Sequence, residues 1–241
     1  MIPAHIQLSD EQIERVVGFL GYGRVSAPVW FIGIEEGLGE MGTEEAENNL
    51  VSRGAFEKTM DLYEAHCLLI GRAKGKVGPI DFENAVPTTQ VWKYMAKIML
   101  AREGRSDWKD PGAVKEYIRH RLGRSDGDTF LTELSPIPAG RASDKSWMTK
   151  FESMDRGIAD RVRNRKEELK KTLRVNSPAL VFCYGKRRAD DFADLLDIQW
   201  RQFNKDISES NDSRRFLLPF FGNGQMSHSI IECLIEAKVL N

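Results

Sequence analysis

The chain has 241 residues, of which 41% are hydrophobic, 9% aromatic and 29% charged, and this composition is that of a globular protein rather than a disordered chain. Its 35 Lys and Arg residues balance 36 Asp and Glu residues, so the net charge of −1 excludes overall basicity as evidence for nucleic-acid binding. A chain of this length favours one large domain.

In chain order, helical patterns alternate with short apolar segments. The helical patterns cover Ser9 to about Leu20, Thr43 to about Leu69, Thr88–Ala101, Pro111–Leu122, Phe151–Leu173, Arg187–Leu196 and Met226–Val239. The apolar segments predict four strands at Val29–Ile34, Thr129–Leu134, Ala179–Tyr184 and Arg215–Phe220. Three of these strands are almost continuously apolar, which is typical of a strand covered on both faces. The alternation predicts an α/β fold with three layers (α/β/α) around a central four-stranded parallel sheet.

We expect a single domain over residues 1–241, with a helical N-terminal segment at residues 1–27 and a helical insert at residues 41–125. Within the insert, Gly71–Pro79 predicts a flexible basic loop. The three cysteines form no CxxC or Cys/His pattern, no apolar segment approaches the ~20 residues of a membrane span, and the first residues resemble no signal peptide. These features predict a cytoplasmic protein with reduced thiols, no metal site and no membrane partner.

The loops after the strands are the candidate functional segments, because open α/β sheets bind ligands at the carboxyl ends of their strands. After the first strand, Glu35 and Glu36 lie between glycines, which fits either a general base at a ligand or a turn with solvated acids. Glu133 stands inside the second strand, where a carboxylate needs a partner, so it predicts either a structural salt bridge or a group that reads a ligand.

The third and fourth strands are also followed by polar loops. Lys186, Arg187 and Arg188 place three cations at a helix start, where acids are usual, so they indicate a phosphate contact or a solvated charge run. After the fourth strand, His228 lies at the junction with the last helix, where it fits either a binding or catalytic role or a simple helix cap.

Together, the four strands and their loops resemble the uracil-DNA glycosylase superfamily, over roughly residue 28 to the C-terminus. The residues Gly33, Ile34, Glu35, Glu36 and Gly37 are similar to the GINPG form of the family's first motif. The resemblance puts Glu35 where the family has its water-positioning Asp or Asn, and it makes the neighbouring residues of the motif part of the substrate site. Glu36 departs from the family's usual Pro.

The resemblance also puts Glu133 at the position of a family Asn that reads the flipped base. An ionised Glu can only accept hydrogen bonds, so it favours a base with an exocyclic amino group, whereas a protonated Glu can also donate. For the family's second motif, Asn223 aligns if the loop is ungapped and His228 aligns if the loop is longer; either would stabilise negative charge on the leaving base. Phe220 and Phe221 are the candidates for stacking on that base.

The function implied by the resemblance is hydrolysis of the N-glycosidic bond of a damaged or modified base in DNA, as in base-excision repair, without a metal or cofactor. Lys186, Arg187 and Arg188 would then contact phosphates of the DNA. Two alternatives stay open. One is a catalytically inactive nucleic-acid-binding protein of the same fold, and the other is a small-molecule or nucleotide-binding enzyme on an unrelated three-layer fold.

Overall fold

The computed structural model of the protein describes residues 9–37, 49–73, 76–79, 82, 89–137 and 158–240. Its strands are β1 (Gly21–Gly23), β2 (Val29–Gly33), β3 (Thr59–Met60), β4 (Ile70–Ala73), β5 (Lys76–Pro79), β6 (Thr129–Glu133), β7 (Leu180–Tyr184), β8 (Arg201–Gln202), β9 (Ser208–Glu209) and β10 (Arg215–Leu218). Its helices are α1 (Asp10–Gly18), α2 (Leu62–Leu68), α3 (Gln90–Arg102), α4 (Pro111–His120), α5 (Ile158–Asn176), α6 (Ala189–Leu196) and α7 (His228–Glu236). Residues 49–53 are also helical, and a turn of 3₁₀-helix covers Lys186–Arg188.

The main sheet has eight strands in the order β3-β1-β6-β2-β7-β10-β9-β8. The four strands expected from the sequence are its central neighbours β6, β2, β7 and β10, and each adjacent pair of them is parallel. Antiparallel pairs join β1 to β6, β9 to β10 and β8 to β9, so the sheet is mixed. The α/β class is confirmed, whereas a four-stranded parallel sheet is wrong. The four added strands lie outside the central four and have only two or three residues each, too few to produce a hydrophobic pattern.

Helices pack on both faces of the sheet. Along β2, Val29 and Phe31 belong to a buried cluster with residues of α3, α4 and α7. The alternate residues Trp30 and Ile32 belong to a second cluster with residues of α5 and α6. Successive side chains of a strand point to opposite faces, so β2 is covered on both, as its continuous apolar sequence predicts.

Several segments differ from the expected helices. The segment from Thr43 to Leu69 is not one helix, because its described part holds helical residues 49–53, strand β3 and helix α2. Asp61 starts α2 by accepting hydrogen bonds from the backbone N–H groups of Tyr63 and Glu64. Within the expected loop Gly71–Pro79, the described residues 71–73 and 76–79 belong to the antiparallel strands β4 and β5. Segments 1–27 and 41–125 therefore contribute strands as well as helices.

The order of the central strands places a topological switch point between β2 and β7. After β2 the chain enters β6 on one side, and it later returns as β7 on the other side of β2. The carboxyl ends of β2 and β7 therefore flank the topological switch point, which is where open α/β sheets bind ligands. The first and third loops singled out in the sequence follow these two strands.

Candidate functional site

Three residues meet at the switch point. Gly33 ends β2, Glu133 ends β6 and Tyr184 ends β7. A Cβ atom on Gly33 would overlap both Oε2 of Glu133 and the hydroxyl of Tyr184. Only a glycine at position 33 lets these two polar side chains close over the end of β2 in this way.

The carboxyl group of Glu133 is held by Tyr184, and its Oε2 atom is buried. The Tyr184 hydroxyl donates a hydrogen bond to Glu133 Oε1 at 2.7 Å, while Oε2 is buried without a hydrogen-bond partner among the described residues. Burial raises the pKa of Glu133 to about 8, helped by the charges of Glu36 and Glu35 and opposed by Tyr184 and Arg165. At neutral pH the carboxyl is therefore mostly protonated, so it can both donate and accept.

Arg165 of α5 fixes the backbone on which Glu133 stands. Its side chain is 4% exposed, and it donates to the carbonyl oxygens of Phe19 at 2.9 Å, Glu133 at 2.9 Å and Leu134 at 3.3 Å. Burial lowers the pKa of this guanidinium to about 10. From the sequence, Arg165 is one of several cations in a helical segment expected to be a solvated face, whereas its spacing of four residues from the apolar Leu169 places it on the buried face of its helix.

Glu36 lies in a buried ion pair behind the first loop. Arg53 Nη2 is 2.8 Å from Glu36 Oε2, and the Tyr22 hydroxyl donates to the same oxygen at 2.9 Å. Burial acts to raise the pKa of Glu36, but the combined effect of Arg53, His66 and the hydrogen bond from Tyr22 is larger, so the net shift of this pKa is downward. Glu36, expected at the substrate, instead ties the loop after β2 to β1 and to helical residues 49–53.

Glu35 is the neighbouring acid of this loop. It is partly exposed and makes no hydrogen bond or ion pair within the described part of the chain. Its charge raises the pKa of Glu133, and it also raises that of Arg188, for which the hydrogen bond to Asp191 is the larger cause. Glu35 therefore lies within electrostatic range of both the second and the third loop. Ile34 beside it is half-buried, and Gly37 is exposed.

The three cations of the third loop are exposed at the same edge of the sheet. Lys186 Nζ donates to the carbonyl oxygen of Lys205 at 3.1 Å, and Arg188 forms an ion pair with Asp191. Arg187 has no such contact to a described residue. Gly185 before them has φ +113, and a Cβ there would lie 2.5 Å from Ile34 Cδ1. The third loop thus packs closely against the first.

The fourth loop supports Tyr184 with aromatic rings. Phe221 is 1% exposed and stacks on the Tyr184 ring, with centroids 4.5 Å apart and an angle of 13° between the rings. Phe220 is half-buried, with its centroid 6.3 Å from that of Tyr184. Phe221 therefore belongs to the core, and Phe220 is the more exposed of the two expected stacking residues.

Asn223 and His228 are turned to other partners. Asn223 is exposed at φ +54 and precedes Gly224 at φ +69, a pair of left-handed residues typical of an Asn-Gly turn. The Nε2 atom of His228 is 2.7 Å from Nζ of Lys97 on α3. Its ring lies 5.5 Å from that of Trp108. The contacts of these two residues do not join them to Glu35 or Glu133 in the described structure, so their expected roles at the leaving base stay predictions.

Replacing Gly33 with alanine is expected to destabilise the protein by about 1–3 kcal/mol and to displace the carboxyl of Glu133, because the added methyl overlaps Glu133 and Tyr184. Urea unfolding measures the loss. Gly37→Ala is the matched control in the same loop, since a Cβ there meets no atom within 4 Å, and it should change stability by less than about 0.5 kcal/mol. Equal stability of the two variants would contradict the close packing at Gly33.

Comparisons of the chain with models of protein families, with curated proteins and with solved structures find no match. The resemblance to the uracil-DNA glycosylase superfamily therefore stays a prediction. In the described part of the chain, no group of three or more His, Cys, Asp or Glu side chains is placed to hold a metal ion. Nor is any helix in those ranges long and apolar enough to cross a membrane.

Proposed function

We propose that the protein is a DNA glycosylase-like enzyme that hydrolyses the N-glycosidic bond of a damaged or modified base, without a metal or cofactor. The observation that carries this proposal is the placement of two carboxyl groups at one topological switch point, with Glu35 partly exposed and Glu133 hydrogen-bonded to Tyr184 and its pKa raised to about 8. A carboxyl group with a raised pKa beside a second carboxyl group is typical of sites that carry out acid–base chemistry at neutral pH.

In this proposal Glu133 reads the extruded base. Its buried Oε2 is unpartnered in the described structure and would donate its proton to a carbonyl oxygen or ring nitrogen of the base. Its Oε1 would accept from a base N–H while keeping the hydrogen bond from Tyr184. A neutral acid thus offers the same donor and acceptor as the Asn of the family. The expectation of an exocyclic amino group assumed an ionised Glu133, and the raised pKa removes that restriction.

Glu35 would act on the sugar. As the bond between C1′ and the base nitrogen breaks, positive charge develops on the sugar, and a nearby carboxylate stabilises it. The same carboxylate would orient a water molecule, whose oxygen bonds to C1′ while its proton passes to Glu35 and the base leaves with the bonding electron pair. Glu36 is occupied by Arg53 and Tyr22, so Glu35 is the acid that we assign to this role among the described residues of the loop.

The third loop would contact the DNA backbone in this proposal. Arg187, exposed beside the switch point, is the leading phosphate contact, with Lys186 and Arg188 next to it. Such an enzyme would act in base-excision repair, with the cytoplasmic location expected from the sequence. Since these three cations are few and two of them have protein partners, a nucleoside or nucleotide hydrolase with the same catalytic groups is the second candidate.

A panel of substrates separates the candidates. Purified protein is incubated with single- and double-stranded DNA containing uracil, hypoxanthine or modified cytosines and thymines, and in parallel with the corresponding free nucleosides. Released bases are measured by mass spectrometry. The proposal expects release from at least one DNA and not from its nucleoside. Release from nucleosides alone would favour the second candidate, binding of DNA without release would favour an inactive binding protein, and neither binding nor release would overturn all three.

A further inference from the structure

A group of basic side chains lies on α3, just before α4 and at the start of α7, and it makes no contact with Glu35 or Glu133 in the described structure. Lys97 is partly buried on α3, with its ammonium 2.7 Å from His228 Nε2 and 5.1 Å from the centroid of the Tyr94 ring. It forms no ion pair with a carboxylate in the described ranges. A lysine held by an imidazole and an aromatic face keeps a positive charge that is not neutralised by the protein.

The surrounding groups add to this charge. Lys93 lies one turn before Lys97 on α3, and burial together with the Lys93 charge lowers the pKa of Lys97. The pKa of His228 is lowered by burial and by the charges of Lys97 and Lys109, against the opposing charge of Glu232. Glu232 is 2.5 Å from Lys109 and so offsets one cation of the group. The remaining lysines repel one another, and a bound anion would relieve this repulsion.

The side chains of His228 and Lys109 pack against the ring of Trp108. Trp108 is 7% exposed, its ring lies 5.5 Å from that of His228, and the ammonium of Lys109 lies 4.8 Å from its centroid. The hydroxyl oxygens of Ser227 and Ser229, both exposed, are 2.8 Å apart beside His228. The candidate donors at the start of α7 are therefore these two hydroxyl groups, the His228 imidazole and the Lys97 ammonium that contacts it.

We propose that Lys97, His228 and the hydroxyls of Ser227 and Ser229 form a binding site for a phosphate group. Phosphate is the anion that fits, because its several oxygens can accept from several donors at once, whereas a carboxylate has two. The N-terminal N–H groups of α7 lie in the same stretch, with no acid in the first turn of the helix. This site contains neither Glu35 nor Glu133 and would be occupied by a phosphate ester of a nucleotide or of a nucleic acid.

The test measures binding of inorganic phosphate by calorimetry and by the NMR shifts of the His228 ring. Lys97→Ala and His228→Gln should each weaken phosphate binding by about tenfold or more, the usual effect of losing a hydrogen bond to a charged group. Lys171→Ala is the matched control, because Lys171 is exposed on α5. The affinity of this variant for phosphate should stay within twofold of the wild type. Thermal unfolding of each variant checks that it is folded, and two substitutions on different helices guard against a folding defect in one of them.

The outcomes are distinct. Phosphate binding that raises the pKa of His228 and is lost in both site variants would support the site. Failure of the wild type to bind phosphate, equal affinity in all four proteins, or acetate binding as tight as phosphate would overturn it. With the site supported, a 5′-nucleotide and an unphosphorylated oligonucleotide identify the source of the phosphate, since the oligonucleotide offers only backbone phosphodiesters. Base release is measured separately, so its absence leaves this result unaffected.

Discussion

Wild-type protein is expected to lose folding stability as the pH rises, and the variant Glu133→Gln is expected not to show this loss. The pKa of Glu133 is raised from 4.5 to about 8 in the folded protein, so between these values the folded state binds more protons than the unfolded state. Stability then falls with increasing pH across this window. Glutamine keeps an acceptor for the Tyr184 hydroxyl and a donor in place of the acid proton, and it cannot ionise.

The expected difference between Glu133→Gln and wild type is small at pH 5 and grows to roughly 4 kcal/mol in favour of the variant at pH 9. Urea unfolding at several pH values measures it. Glu57→Gln, at an exposed carboxylate without a partner in the described structure, should follow the wild type throughout. A constant difference between Glu133→Gln and wild type from pH 5 to pH 9 would contradict the protonated state of Glu133.

Replacing Arg53 with methionine is expected to destabilise the protein by about 3 kcal/mol at pH 7. The Arg53 side chain is 4% exposed and that of Glu36 is 26% exposed, so the substitution leaves a largely buried carboxylate without its cation. The pKa of Glu36 should rise, because Arg53 is the group that lowers it most. Part of the lost stability should then return at acid pH, where Glu36 becomes protonated.

Urea unfolding at pH 7 and pH 5 measures both effects. Arg15→Met is the matched control, because Arg15 also pairs with a glutamate, Glu11, but both side chains are exposed at 45% and 75%. Exposed pairs of this kind contribute little, so the control should lose less than about 1 kcal/mol. If both arginine variants lost the same small amount, the ion pair of Arg53 would not be what holds the first loop.

The central strands could be predicted from the sequence because burial on both faces leaves a continuous apolar signal, as in residues 29–33 and 180–184. The capping box of Ser9 and Gln12 was equally readable, since it depends on neighbours three residues apart. The outer strands β1 and β3 were not predictable. They are short, and their pairing partners are distant in sequence, so no local pattern marks them.

The candidate site was also predictable only in part. The positions of Glu35 and Glu133 at one edge follow from the strand ends, which the sequence marks. The Tyr184 hydrogen bond to Glu133 and the Arg53 partner of Glu36 depend on contacts between residues 51 and 17 positions apart, which no motif encodes. Asn223 was singled out for its chemistry, whereas the left-handed backbone beside Gly224 explains an Asn at this position through turn geometry.

The most direct test of the proposed glycosylase activity is the rate of base release by Glu35→Gln. This rate is measured under single-turnover conditions, on whichever substrate the wild type cleaves. Glutamine keeps the size of the side chain but removes the charge that would stabilise the sugar cation and accept the proton of the water. We predict a rate at least about 100-fold below that of the wild type, with unchanged stability, and a wild-type rate in the control Glu57→Gln. A Glu35→Gln rate within twofold of the wild type would contradict the account.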